Sequence, residues 1–137
     1  MRFIALVLGC ALAGCATYSV ERTPEERKAA WDAGNVFPAD YRPELIAYLR
    51  TYLNDPTGVR EAAISEPALK SVGPGERYVA CVRFNPKRSG GGYAGAKDHL
   101  VIYVGGKLDR YVESGPAIEM CRGAAYAAFP ELERLTR

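Results

Sequence analysis

Cys81, Cys121, His99, a glycine-rich run and the cations around it are this sequence's candidates for reactive or binding chemistry. Cys81 or Cys121 beside His99 would make a thiol nucleophile. An imidazole within hydrogen-bonding reach takes the thiol proton, and a third group holds the ring. His99 follows Asp98 at the start of an apolar stretch, where a solvated surface histidine is the commoner outcome. The competing chemistry is oxidation. Two cysteines in an exported domain are most simply a disulfide. Cys81 falls in the middle of a strand pattern, and Cys121 lies on an apolar helical stripe expected to face that strand. The two stand 40 positions apart, and closing such a loop stabilises a fold by about 3–4 kcal/mol in the chain-entropy treatment. Two unpaired buried thiols are the alternative. No Cys-x-x-Cys or His pair occurs at ligand spacing, and structural zinc wants four ligands, so no metal or other cofactor is expected.

The run Ser89-Gly90-Gly91-Gly92-Tyr93-Ala94-Gly95 satisfies the letters of G-x-G-x-x-G at Gly90, Gly92 and Gly95. The mechanism behind those letters needs a helix afterwards, with its amino terminus facing a pyrophosphate. Here a strand pattern follows, and Ala96 stands where a P-loop has lysine. The run therefore reads as a flexible connection between two strands. Arg83, Lys87, Arg88 and Lys97 lie in or beside it with Tyr93, a candidate binding loop for anionic headgroups or a wall polymer. The alternative is a solvated hairpin. Glu25-Glu26 belongs to a helix cap and Glu131/Glu133 to an exposed end, so no carboxylate pair for acid–base work is evident. There is no G-x-S-x-G elbow either.

Periodicity and turn signals give the helices and strands that carry these residues. Thr23-Pro24-Glu25-Glu26 is a capping box opening a helix over Pro24–Ala33. A second helix starts at Pro43, carries Leu45, Ile46, Leu49, Tyr52 and Leu53 on one face, and ends at Asn54-Asp55-Pro56. Strands are expected at Val59–Ile64, Arg77–Phe84, Leu100–Val104 and Lys107–Val112, with a Pro/Gly-punctuated loop before Arg77. Gly105-Gly106 makes the last two a tight hairpin. Ala117, Ile118, Cys121, Ala124, Ala125 and Ala128 predict a third helix that Pro130 terminates, though Gly123 costs it about 1 kcal/mol. The expected fold is α+β: a small antiparallel sheet of three to four strands with two to three helices packed on one face.

The amino-terminal segment sets the compartment. Arg2 precedes the uncharged stretch Phe3–Ala13, about half the roughly 20 apolar residues that cross a bilayer. That is the pattern of a signal peptide and not of a membrane span. Leu12-Ala13-Gly14-Cys15 resembles the lipobox of bacterial lipoproteins. Cys10 offers a looser match, with too short an apolar run before it. The resemblance implies that residues 1–14 are removed, that Cys15 carries at least two acyl chains, and that 15–22 form a lipidated tether to a single domain over 23–137. Two chains hold a protein firmly where one does not. Ala16, where inner-membrane retention uses Asp, implies the outer membrane, facing the periplasm. Loss of Arg2 leaves 17 Lys+Arg against 16 Asp+Glu, no basis for nucleic-acid binding.

The mature domain itself, through Tyr52-Leu53-Asn54-Asp55-Pro56, Tyr78–Asn85, Gly91-Gly92-Tyr93-Ala94-Gly95 and Phe129-Pro130-Glu131-Leu132, resembles a group of small, uncharacterised proteobacterial envelope proteins. That likeness implies a secreted domain with a helix preceding a small sheet, and it brings no catalytic residues. The expectation is a noncatalytic envelope lipoprotein: a structural or interaction module held to the membrane through Cys15, with an envelope protein or wall polymer as partner. A small-ligand or anionic-polymer binder using the Gly90–Gly95 loop, and a small cysteine-dependent hydrolase, are the alternatives.

Overall fold

The structure is a computed structural model that describes residues 20–136. Cys10, Cys15 and the rest of the leader and lipobox lie outside the described residues. Two helices, α1 (Pro24–Asp32) and α2 (Tyr41–Tyr52), precede the strands β1 (Arg60–Ser65), β2 (Ala68–Val72), β3 (Gly75–Asn85), β4 (Lys97–Val104) and β5 (Lys107–Val112). A 3-10 helix (Pro116–Cys121), strand β6 (Tyr126–Ala128) and a one-turn helix α3 (Pro130–Glu133) follow. The strands form one antiparallel sheet in the order β5-β4-β3-β1-β6, with β2 also on β3.

The α+β class holds, but the sheet has six strands where three to four are expected. One of the additional strands is β2. Residues 82–85 of β3 pair with β1 and residues 75–79 pair with β2, so β1 and β2 lie end to end along one edge of β3. Glu66-Pro67 interrupts them, because proline has no N–H for a ladder. At the break the Cys81 amide donates to Ser65 Oγ at 2.8 Å instead. Pro67 and Pro74 punctuate the ends of β2, not its interior, which is why a proline-rich stretch expected as loop is a strand.

The second correction is at the carboxyl end. The predicted helix stops at Cys121. Gly123 has φ 71°, a left-handed conformation that breaks the helix. The alanines beyond it run as β6, Tyr126 opposite Ser65 and Ala128 opposite Ala63. Pro130, expected as a terminator, opens α3. The Gly105-Gly106 turn does take the positive φ angles, 59° and 76°, that a tight hairpin needs.

Nor are the helices confined to one face. Leu45 and Leu49 of α2, with Phe129, Leu132 and Leu135, cover Ile64, Val82, Phe84, Val101 and Tyr103 on one side. Val79, Cys81, Leu100 and Ile102 point to the other side, beneath Cys121, Ile118 and Met120. Arg42 ties α2 to the chain end: it pairs with Glu131 Oε2 at 2.9 Å, donates to the Ala128 carbonyl at 3.1 Å and lies over the Phe129 ring.

Helix α1 buries no residue fully. Its Thr23–Glu26 capping box closes with bonds of 2.8 and 3.2 Å, and its attachment is a clasp at its far end. The Trp31 ring packs on Gly73, and a Cβ on Gly75 would collide with the Asp32 carboxylate. The Arg77 guanidinium lies 3.9 Å from the Trp31 ring centroid and donates to the Trp31 carbonyl. Asp32 Oδ1 accepts from the Glu76 amide at 2.8 Å, and Asn35 Nδ2 donates to the Glu76 carbonyl at 3.0 Å. Among the described residues no helix is long and apolar enough to cross a membrane.

Candidate functional site

The two sulfurs are bonded to each other. Cys81 and Cys121 form a disulfide with Cα atoms 5.6 Å apart, joining β3 to the 3-10 helix. His99 stands opposite Val82, and Cys81 opposite Leu100. Successive strand residues point to opposite faces, so imidazole and sulfur are on opposite sides of the sheet. The thiol–imidazole dyad is not assembled.

The surface reading of His99 is also corrected, since only 7% of it is exposed. The ring lies 4.7 Å from Phe84 and 5.4 Å from Tyr111, and Tyr111 continues to Tyr48 and Tyr52 at 5.1 Å each. Burial pushes the imidazole pKa below its ordinary value, against an opposing pull from the Glu113 carboxylate. A neutral imidazole is what such a sandwich of rings favours. Its Nδ1 and the Tyr111 hydroxyl are buried without a hydrogen-bond partner. Tyr52, hydrogen-bonded to Glu113, is pushed up to about 12. Position 99 does the work of a packing residue under α2.

The glycine-rich loop is pinned where a flexible connection is expected. Lys87 and Tyr93 form an isolated antiparallel bridge. The Tyr93 hydroxyl donates to the Gly58 carbonyl at 2.7 Å, and Arg60 lies 4.0 Å from the Tyr93 ring centroid. Asn85, buried at the loop's base, donates to Glu61 Oε2 at 2.9 Å and accepts from the Gly95 amide at 3.1 Å. Glu61 itself has φ 56°, in the irregular stretch between Arg60 and Ala63 where β1 shifts register. Bulges of this kind re-aim side chains. Here the carboxylate is turned to Asn85.

The five residues of the predicted binding loop are thereby divided. Lys87, Arg88 and Tyr93 stay together, and Lys87 and Arg88 line an open cleft of about 410 Å³ with Ser89, Gly91, Asn54 and Asp55. Arg83 is elsewhere: it pairs with Asp98 at 2.7 Å and lies over Tyr126, and that ion pair holds the Asp98 carboxyl below its usual range. Lys97 sits opposite Phe84 on the His99 face. Arg60, which sequence reasoning missed, joins the loop through Tyr93. Its only signal is its place just after Gly58, the residue to which Tyr93 bonds.

A second concavity lies on the disulfide face. A trough of about 440 Å³ runs between Ala68, Lys70 and Val79 on one wall and Met120 and Arg122–Ala125 on the other, with Cys81 at its base. Beside it, Arg83, Asp98, Glu119, Arg122 and Tyr126 line a more polar hollow of about 460 Å³. Asp98 Oδ1 accepts from Tyr126 at 2.8 Å as well as from Arg83, and Arg122 pairs with Glu119. Both acids there are matched by a cation, which is the arrangement of a surface lattice and not of an acid–base pair. Among the described residues no group of three or more His, Cys, Asp or Glu side chains is placed to hold a metal ion. Compared with protein-family models, curated proteins and solved structures, the chain matches none.

Proposed function

We propose that this chain is an envelope lipoprotein whose folded domain is a noncatalytic interaction module, tethered through acyl chains on Cys15 at the outer membrane and facing the periplasm. One observation carries the reading. Among the described residues, the side chains that the sequence offers for thiol–imidazole chemistry, Cys81, Cys121 and His99 with its neighbour Asp98, are spent on architecture, while the compartment implied by the leader is the one that favours the Cys81–Cys121 bond. The sulfurs staple the sheet, His99 is packed between rings, and Asp98 is matched by Arg83. The first test is mass spectrometry of the chain from envelope membranes. The expected product begins at Cys15 with acyl chains and is lighter by two hydrogen atoms, lost on joining Cys81 to Cys121. A product that retains Met1–Gly14, or lacks fatty acid, overturns the anchoring.

A second reading draws on the cluster of Arg60, Lys87, Arg88 and Tyr93. A pinned loop carrying two cations, with Arg60 of β1 beside it, suits an anionic polymer or headgroup, because little ordering entropy is lost on contact. Cosedimentation with a polyanionic wall polymer, repeated with Lys87→Ala/Arg88→Ala, tests it. Salt-sensitive binding that the double variant loses supports this reading, and binding that it retains rejects it.

A further inference from the structure

We infer that the outer edge of β2, together with the trough beside it, is a docking site for an extended peptide segment of another protein, added as a further strand with an acidic side chain opposite Lys70.

Among the described residues one strand position of the sheet is empty. Along the edge of β3, β1 and β2 lie end to end, and β6 covers the outer edge of β1. Beside β2 the same lane is open among the described residues, where β2 pairs only with β3. The chain that would fill it, residues 121–125, is instead drawn onto the sheet's face by the Cys121–Cys81 bond. The trough is the space this detour leaves. An unpaired edge presents a row of main-chain donors and acceptors, and strand addition uses them for affinity while side-chain pockets give specificity.

Both faces of that lane are prepared. On the disulfide face the trough offers Ala68, Val79 and Met120 as apolar lining. On the other face, Leu69 is 42% exposed and lies opposite Tyr78, against which Phe37, 51% exposed, packs edge-on at 5.4 Å. A segment with apolar residues on both its faces covers both. Charge selects the occupant. Lys70 has no ion-pair partner among the described residues, whereas Arg122 across the trough is held by Glu119. Glu66 also lines the trough and would repel a carboxylate beside it, so only the position opposite Lys70 takes the acidic residue. Full-length pairing of β2 with a second copy would be centred on Lys70 and would set two lysines side by side, and like charges opposite one another oppose pairing.

This inference rests on the interaction-module reading but not on the anchor, and the two fail separately. The test uses the full disulfide-bonded chain and two synthetic octapeptides of alternating valine and threonine, one with Glu and one with Lys at a single trough-facing position. Hydrogen exchange is read at residues 68–72, and affinity by fluorescence anisotropy. The Glu peptide is expected to slow exchange in β2 and to bind about threefold more tightly than the Lys peptide, the size of a cross-strand charge pair. Lys70→Glu should reverse that order, and an N-methylated Glu peptide should not bind. Equal affinity for both peptides in both variants, or protection confined to another element, overturns the proposal. So does a dimer in sedimentation whose β2 amides are already protected without peptide, because the edge would then belong to a second copy.

Discussion

The two faces of the sheet are held by different physics. Under α2 the core is broad: leucines from α2 and the chain end, three buried aromatics and a ladder of rings running from Phe84 through His99 to Tyr48 and Tyr52. Under the 3-10 helix the buried cluster is five residues, two of them the bridged cysteines. The helical side is secured by apolar area and the other by a covalent staple. A short irregular segment cannot bury enough surface to hold itself against a sheet. Each face is therefore free to vary in a different place. The stapled face can leave hollows beside it because its attachment does not depend on filling them.

Four measurements test this contrast. The largest effect is expected from Cys81→Ala/Cys121→Ala, a loss of about 4 kcal/mol by the loop-entropy estimate. Urea unfolding reads it, and the near-ultraviolet signal of the tyrosine ladder should survive in the folded variant if the faces are independent. Next, Leu49→Ala on the α2 face removes a fully buried side chain and should cost roughly 3 kcal/mol, with the disulfide intact by thiol titration. A smaller effect concerns pH. His99 has a folded pKa depressed below 6.5 by burial, so the unfolded chain binds the proton more readily. Stability is then full above the unfolded value and falls as pH drops from 6.5 towards the folded one. His99→Phe should flatten the melting temperature between pH 6.5 and 5, and an unchanged slope would put the titration elsewhere. The smallest is Arg42→Ala, about 1 kcal/mol for a half-exposed ion pair and its carbonyl bond, read as faster hydrogen exchange in α3.

Much of the fold was legible because local signals agreed with one another. The capping box at Thr23, the apolar face of α2, the strand around Cys81 and the Gly105-Gly106 turn each carry their own cause. What was not legible depends on partners distant in the chain. Ala68–Val72 looks like loop until Gly75–Val79 is there to pair with it. The alanines after Gly123 fit a helical stripe equally well, and only β1 makes them a strand. The disulfide partners could be named from compartment and count, although the element carrying Cys121 turned out to be a short 3-10 turn. At the candidate sites the loop's cations were visible as a cluster in sequence. Alternation along β3 and β4 sends Arg83 and Lys97 to opposite faces, so only Lys87, Arg88 and Tyr93 remain together. Arg60 and the β2 edge carry no motif at all.

The clasp that holds α1 has a mechanical consequence. Load arriving from the amino-terminal side meets Trp31, Asp32 and Asn35 before it meets any strand, and these grip the β2–β3 turn through a stacked guanidinium and a few hydrogen bonds. Such a grip opens one contact after another, as a zipper does, whereas the antiparallel ladders behind it share strain across many bonds. Under the proposed anchoring, a pull from that side would be absorbed by release of α1 while the sheet, and whatever it carries, stays folded.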